Sequence, residues 1–349
     1  MDPTPLVPVA VDPSRPDGAV VADAAGALDA GGLVAFPTET VYGLGAAVDR
    51  PDAVARVFSV KGRPATDPLI VHVAGADEVA AVVAEMPDVA RALADAFWPG
   101  PLTLVLPRAA GIGDDVTAGG GSVAVRVPAH PVALALLRAA RSPVAAPSAN
   151  RFGRVSPTAA AHVAEELGDR LDPARDRILD GGPTTLGIES TVVDLSTGAP
   201  RVLRHGGVPW EDLEAVVGPV EHPERQVVDE EERADGPGRF LRHYAPGTPL
   251  FLVEGDAALL ADVAAALAAR GLQASAVGLP GTGPDAAPVL YATLRDADDA
   301  GAAVLLVTPV RPDGLGRAVN DRLYRAAHGR VVTDAGPATV DRIEALARR

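Results

Sequence analysis

Lys61 is the residue whose type asks most for an explanation. Of 31 basic residues in the chain it alone is lysine, the other 30 being arginine. A chain that has placed a guanidinium wherever any cation serves keeps an ammonium where a compact point charge is needed, with phosphate as the usual ligand. The competing reading is a chance survivor, one exposed cation on a solvated helix end. Gly62 lets a ligand's phosphate or a backbone approach closely, Arg63 adds a rigid fork of donors, and Pro64 stiffens the exit from the turn.

Asn150 stands out in the same way, as one of two asparagines in the chain. With Ser148 and Ser156 it places three short hydrogen-bonding side chains at a strand end and in the loop before Pro157-Thr158. Such a loop suits an anion or a nucleobase; ordinary turn and capping chemistry is the alternative. Arg126 interrupts the apolar run Ser122 to Pro128 and needs either an anion beside it or a strand end facing solvent. His72, alone on the apolar stretch Leu69 to Val73, reads either as a satisfied structural histidine or as a site residue. No paired carboxylates or Ser-His-Asp spacing is visible. With no cysteine there is no thiolate nucleophile, disulfide or Cys-based metal site.

The elements that must position these groups begin with an extended, proline-rich arm, residues 1–17. A helix is predicted from Gly18 to Ala30, stopped by Gly31-Gly32, then a buried strand Leu33 to Phe36 that delivers Pro37-Thr38-Glu39-Thr40 into a loop. Gly43-Leu44-Gly45 does not open a dinucleotide fingerprint, because the third glycine would fall at Val48, and no P-loop pattern occurs. A helix over Pro51 to Val60, with Asp49 or Asp52 near its start, ends in the Lys61 turn. Two helical patterns split at Pro87 follow, then strands Leu102 to Leu106 and Ser122 to Pro128, and a helix His130 to Arg141. Strands Val144 to Ala146 and Ile178 to Asp180 lead to a strand pair, Ser190 to Asp194 with Arg201 to Arg204, and to a helix Val208 to Val217.

The texture changes between Gly218 and Gly247, where an acidic run, residues 229–235, precedes His243-Tyr244-Ala245-Pro246-Gly247. This stretch reads as an interdomain linker. Beyond it the pattern alternates: strand Leu250 to Val253, helix Asp256 to Arg270, strands Ala274 to Leu279, Val289 to Ala292 and Ala303 to Thr308, and helix Leu315 to His328. The fold class is α/β throughout, with residues 18–218 as the domain that carries the polar motifs, 219–247 as linker, and 248–349 as a small open α/β domain.

At 349 residues the chain is long enough for two such cores, built mainly from Ala, Val and Leu since aromatics make up only 3%. No apolar run approaches the roughly 20 residues that span a bilayer, and the first residues do not read as a secretory signal; a soluble cytoplasmic protein is expected. A net charge of -15 opposes free-standing nucleic-acid binding, which depends on neutralising phosphates.

Taken in order, Pro37-Thr38-Glu39-Thr40-Val41-Tyr42-Gly43-Leu44-Gly45, Lys61-Gly62-Arg63-Pro64, Pro68 to His72, Pro99-Gly100-Pro101-Leu102-Thr103, Arg126-Val127-Pro128, Pro147-Ser148-Ala149-Asn150, Ser156-Pro157-Thr158 and Ser190-Thr191 resemble the YrdC-like threonylcarbamoyl-AMP synthase family, in its longer two-domain form. The resemblance implies a twisted α/β domain with a positively lined concave cavity, joined to a small Rossmann-like domain. It implies the reaction of L-threonine, bicarbonate and ATP to give threonylcarbamoyl-AMP and pyrophosphate. The product would pass to the machinery that makes N6-threonylcarbamoyladenosine in ANN-decoding tRNA. Carried over by motif, Lys61 and Arg63 contact the ATP phosphates as the catalytic pair. Ser148, Asn150 and Ser156 surround the nucleotide, Arg204 lies at its phosphate end, and Tyr244 folds over it. Thr38, His72, Arg126 and Ser190 hold threonine and its carbamate. Glu39 is a supporting group rather than a base. Mg²⁺ would arrive with ATP, since no ligand cluster for a resident metal stands out. Ahead of His243 the family often has a basic residue and Tyr, where this chain has Gly238 to Arg242, so the resemblance carries no linker contact other than Tyr244.

Two other readings are weighed. Carbamoyl-adenylating carbamoyltransferases share a related domain but carry Cys clusters, which this chain lacks. A structured-RNA-binding module would need a basic face against the net charge.

Overall fold

The computed structural model describes residues 5–222, 241 and 243–348. They divide into two units: residues 5–152 and 156–222 form one, and residues 153–155, 241 and 243–348 the other. The acidic run 229–235 and the departure at residues 238–240 and 242 lie outside the described residues, as do the first four residues of the arm.

In the first unit ten strands form one mixed sheet: β1 (Val9–Ala10), β2 (Val34–Phe36), β3 (Gly43–Ala47), β4 (Ile70–His72), β5 (Leu102–Pro107), β6 (Ser122–Arg126), β7 (Val144–Ala145), β8 (Arg177–Asp180), β9 (Thr191–Asp194) and β10 (Arg201–Arg204). Their spatial order is β1-β8-β2-β3-β7-β4-β6-β5-β9-β10. The arm thus contributes a strand, paired parallel to β8. Gly43 to Ala47, read only as a failed fingerprint, is a buried strand antiparallel to β2. Gly45 belongs there because a Cβ would meet Val144 at 2.6 Å and Phe36 at 2.9 Å.

Alternation along the central strands decides what faces the site. Val71, Leu102, Leu104, Leu106, Val123, Val125 and Val193 point into the main core. Ile70, Val105, Ala124, Val192 and Leu203 cluster on the opposite face. His72, Thr103 and Arg126 share the parity of that second set, and the register puts His72 directly opposite Arg126 on β6 and Val144 on β7. The polar residues of the three strands therefore gather at one end of one sheet face.

Helix Gly18–Asp29 is capped by Asp17, whose carboxylate accepts the Ala19 and Val20 N–H groups. Helix Pro51–Lys61 carries Asp52 in its first turn, one of the two acids expected near its start, where it complements the helix dipole; Arg50 occupies the N-cap without a side-chain bond and Pro51 takes the first turn. Gly62, at φ 64°, ends it in the left-handed conformation. The first of the two patterns around Pro87 is a 3₁₀ helix, Ala76–Ala81, and the second the α-helix Asp88–Phe97.

The second unit has four parallel strands, β11 (Leu250–Val253), β12 (Ala274–Val277), β13 (Val304–Val307) and β14 (Val331–Val332), in the order β12-β13-β11-β14. The expected strand at Val289 to Ala292 is instead the start of helix Leu290–Asp299. Its apolar residues Leu290, Tyr291 and Leu294 recur at helical spacing, a period that a four-residue window misread.

Candidate active site

Lys61 is not an exposed cation on a helix end. It is 2% exposed, and its Nζ donates to the carbonyls of Ser148, at 2.6 Å, and Asn150. It makes no ion pair among the described residues. An ammonium has three N–H groups, so one remains. Burial and the neighbouring Arg63 push its pKa well below the ordinary lysine value, against the pull of Asp67 and Glu166. Arg63 is buried too, paired with Asp67 at 2.9 Å and donating to the Pro68 carbonyl. The last helical turn and the loop after β7 are thus tied together by the one lysine.

Arg126 is held on three sides. Its Nε donates to the Gly100 carbonyl at 3.1 Å, Nη1 to Thr40 Oγ1 at 3.0 Å, and Nη2 to Glu39 Oε1 at 2.6 Å. One N–H on each terminal nitrogen is left, the pair of donors a carboxylate takes. Thr38 Oγ1 donates to the Val41 carbonyl and lies 2.7 Å from Thr40 Oγ1. Its hydroxyl thus shapes the turn that presents Thr40 and Glu39 to Arg126. His72 is 4% exposed, with its ring edge-on to Phe36. Burial, helped by the charge of Arg126, pushes its pKa down to about 3, with the Ile70 and Val144 carbonyls pulling the other way. It is a neutral imidazole.

Among the residues expected around the nucleotide, Ser148 pairs by its backbone with Gly43, and the Ala149 N–H donates to the Tyr42 carbonyl at 2.8 Å. Asn150 is fully buried and donates to the Arg151 carbonyl. Ser156 Oγ donates to Glu189 Oε1 at 2.7 Å. Arg204 Nε and Nη2 both donate to the Ser190 carbonyl, at 3.1 and 3.0 Å, and Nη2 also reaches Ser190 Oγ, which in turn lies 2.7 Å from Thr103 Oγ1. Further backbone bonds, Tyr42 to Pro157, Thr184 to Thr158, Leu186 to Glu39 and Gly207 to Glu189, close the circuit. Ten of the eleven residues singled out in the sequence belong to this one unit. Lys61 joins Ser148 and Asn150, Ser190 joins Arg204, and His72 stands beside Arg126.

Residues 26–206 match a protein family described as Telomere recombination, and residues 208–328 match the threonylcarbamoyl-AMP synthase C-terminal domain. The chain is 41% identical over 88% of its length to a threonylcarbamoyl-AMP synthase of Pyrococcus abyssi, covering 94% of that protein. It is 39% identical over 89% of its length to one of Bacillus subtilis, again covering 94% of the relative. The chain belongs to the threonylcarbamoyl-AMP synthase family. Its fold agrees: a crystal structure of P. abyssi Sua5 complexed with L-threonine superposes with a TM-score of 0.88 at 39% identity, covering 94% of this chain and 99% of that one.

As a two-domain family member, the chain carries its remaining candidate, Tyr244, in the second unit. Tyr244 is buried at a left-handed φ of 63°, stacked on Tyr291 and lying under the guanidinium of Arg322, 5.3 Å from its ring centre. The next residue, Ala245, bonds the Gly153 carbonyl, and the Gly247 and Thr248 N–H groups are held by Asp298. His243 to Gly247, expected within the linker, thus pack as part of that unit.

Three residues of the network, Thr40, Thr103 and Glu189, carry no role from the sequence, and Glu39, expected only as a supporting group, has Arg126 as its partner. Each sits within or next to a motif already quoted. Glu39, Thr40 and Glu189 stand one or two positions from an assigned residue, whereas Thr103 has no such neighbour in sequence and meets Ser190 only through the pairing of β5 with β9.

Proposed function

We propose that this synthase joins L-threonine, bicarbonate and ATP into threonylcarbamoyl-AMP and pyrophosphate at the polar end of the ten-stranded sheet. One observation carries the reading: an acidic chain buries its single lysine against two neutral carbonyls, with no ion pair among the described residues and one N–H to give. Such a charge is tolerated where an anionic ligand completes its surroundings.

Lys61 and Arg63 take the ATP phosphates, and Arg204 the phosphate end of the bound nucleotide. Ser148, whose hydroxyl makes no hydrogen bond among the described residues, together with Asn150 and Ser156 contacts the nucleoside. Tyr244 contributes to ATP affinity. The two remaining N–H groups of Arg126 hold the threonine carboxylate, with neutral His72 and the Ser190 hydroxyl beside it and Thr38 acting through the turn it shapes. Mg²⁺ enters with ATP as part of that substrate.

The threonine amine captures the carbon of bicarbonate, losing water, to form a carbamate. A carbamate oxygen then attacks the α-phosphorus, and pyrophosphate leaves with the electron pair of the broken P–O bond. This step needs alignment and cations on the developing charge more than covalent help, which fits a site of Lys, Arg, Ser, Thr and Asn. The product is a reactive mixed anhydride, consumed by threonylcarbamoyl transfer to tRNA.

Pyrophosphate release by the purified protein, with threonine and bicarbonate each present or omitted, tests the proposal. Release is expected only with both. Release with neither, or none with both, would overturn it.

A further inference from the structure

His72 has a second neighbourhood besides Arg126. Behind it, between the end of β4, the 3₁₀ helix Ala76–Ala81 and the C-terminal turn of helix Pro131–Ala139, lies a cleft of about 270 Å³. His72 forms part of its wall, and Arg138, Arg141, Glu78 and Ser142 line the rest with apolar groups. The His72 Nδ1 is buried, with no hydrogen-bond partner of good geometry among the described residues.

The cations of this cleft are not equally engaged. Arg141 is engaged by Asp29 at 3.4 Å, and Glu78 Oε2 accepts the Ala74 N–H. Arg138 makes no hydrogen bond or ion pair among the described residues. With Arg141 answered by Asp29, exposed Arg138 is the guanidinium of the lining that has its N–H groups to give to an anion. Another cleft of the same unit contrasts with it: there Asp194 pairs with Arg201 at 3.1 Å and takes the Ser196 N–H and hydroxyl, so its charges answer one another.

We propose that the Arg138 cleft admits and holds bicarbonate, delivering it past His72 to the threonine amine. This rests on the function proposed above, which requires bicarbonate and places threonine at Arg126 and His72. A small planar anion is the ligand the lining fits: guanidinium donors at the mouth, a serine hydroxyl, and a neutral imidazole with an unsatisfied nitrogen at the inner wall. The cleft has room for the anion with water around it. His72, opposite Arg126 in the strand register, is the one side chain shared by the two neighbourhoods.

Initial rates are measured with ATP and threonine saturating and bicarbonate varied, and then with each of the other substrates varied. Arg138→Glu reverses an exposed charge without touching the core. Ala81→Trp, at an exposed lining position, fills the cleft. Each is expected to raise KM for bicarbonate about fivefold, with KM for ATP and threonine unchanged, and Arg138→Lys is expected to restore most of the loss. Unchanged bicarbonate KM in both variants would overturn the proposal. A rise in threonine KM instead would assign the cleft to threonine and overturn it equally. Wild-type turnover that ignores bicarbonate would remove the proposed function itself, which separates that failure from this one.

Discussion

Glu39 and Arg126 lie 2.6 Å apart, and the second carboxylate oxygen of Glu39 accepts the Ala129 N–H at 3.0 Å. The acid thus ties the guanidinium to the backbone just beyond its own strand and fixes the plane in which its two remaining N–H groups point. Glu39→Gln keeps the shape but weakens a charge-assisted bond to a neutral one. Threonine KM is expected to rise about tenfold, equivalent to 1.4 kcal/mol, with ATP KM little changed. Steady-state kinetics with each substrate varied checks this; equal losses for both substrates would mean that Glu39 supports the domain rather than the orientation of Arg126.

Under the proposed function Lys61 serves both fold and chemistry. Lys61→Ala removes the donor from two carbonyls of the loop after β7, so stability is expected to fall by about 2 to 4 kcal/mol, together with loss of turnover. Urea unfolding followed alongside pyrophosphate release measures both. Lys61→Arg is expected to lose most activity, because a planar fork cannot reproduce a point donor between two converging carbonyls. Near-normal turnover in the arginine variant would reduce the survival of the one lysine to coincidence.

Much of the candidate site was legible because its residues carry chemistry that composition could not explain away: the one lysine, a rare asparagine, an arginine inside an apolar strand. What they bond to was less legible. Glu39 read as a supporting group without a partner, yet the partner lies 87 residues away on β6, and only strand order brings the two together. Lys61 looked exposed because helix ends usually are. Its burial comes from a loop 87 and 89 residues later in the chain. In the second unit, Val289 to Ala292 was too short a window to separate periods of 2 and 3.6, and Tyr244 gave no hint of a left-handed backbone, which sequence rarely signals outside glycine and asparagine.

Arg204 holds the Ser190 carbonyl by two N–H groups and the Ser190 hydroxyl by one of them. Arg204→Lys keeps the charge but not the fork. ATP KM is expected to rise about tenfold. Thr103→Val removes the other partner of the Ser190 hydroxyl and is expected to cost about 1 kcal/mol of stability while raising threonine KM. Thermal unfolding and kinetics on both variants check the division of labour; an arginine variant that alters threonine KM alone would place Arg204 with the amino acid instead.

His72 makes stability depend on pH in a direction that follows from its burial. Its pKa falls from the ordinary 6.5 to about 3 in the folded protein, so the unfolded chain binds the extra proton first as pH drops. The corresponding stability is fully present above pH 6.5 and is lost progressively as pH falls toward 3. Between pH 7 and pH 5 the share due to this residue is about 2 kcal/mol. Urea unfolding at the two pH values is expected to show that loss in the wild type beyond the loss in His72→Gln, which cannot take up the proton. Identical pH slopes in the two proteins would mean that His72 takes up its proton within the fold as readily as in the unfolded chain, and that burial does not hold it neutral.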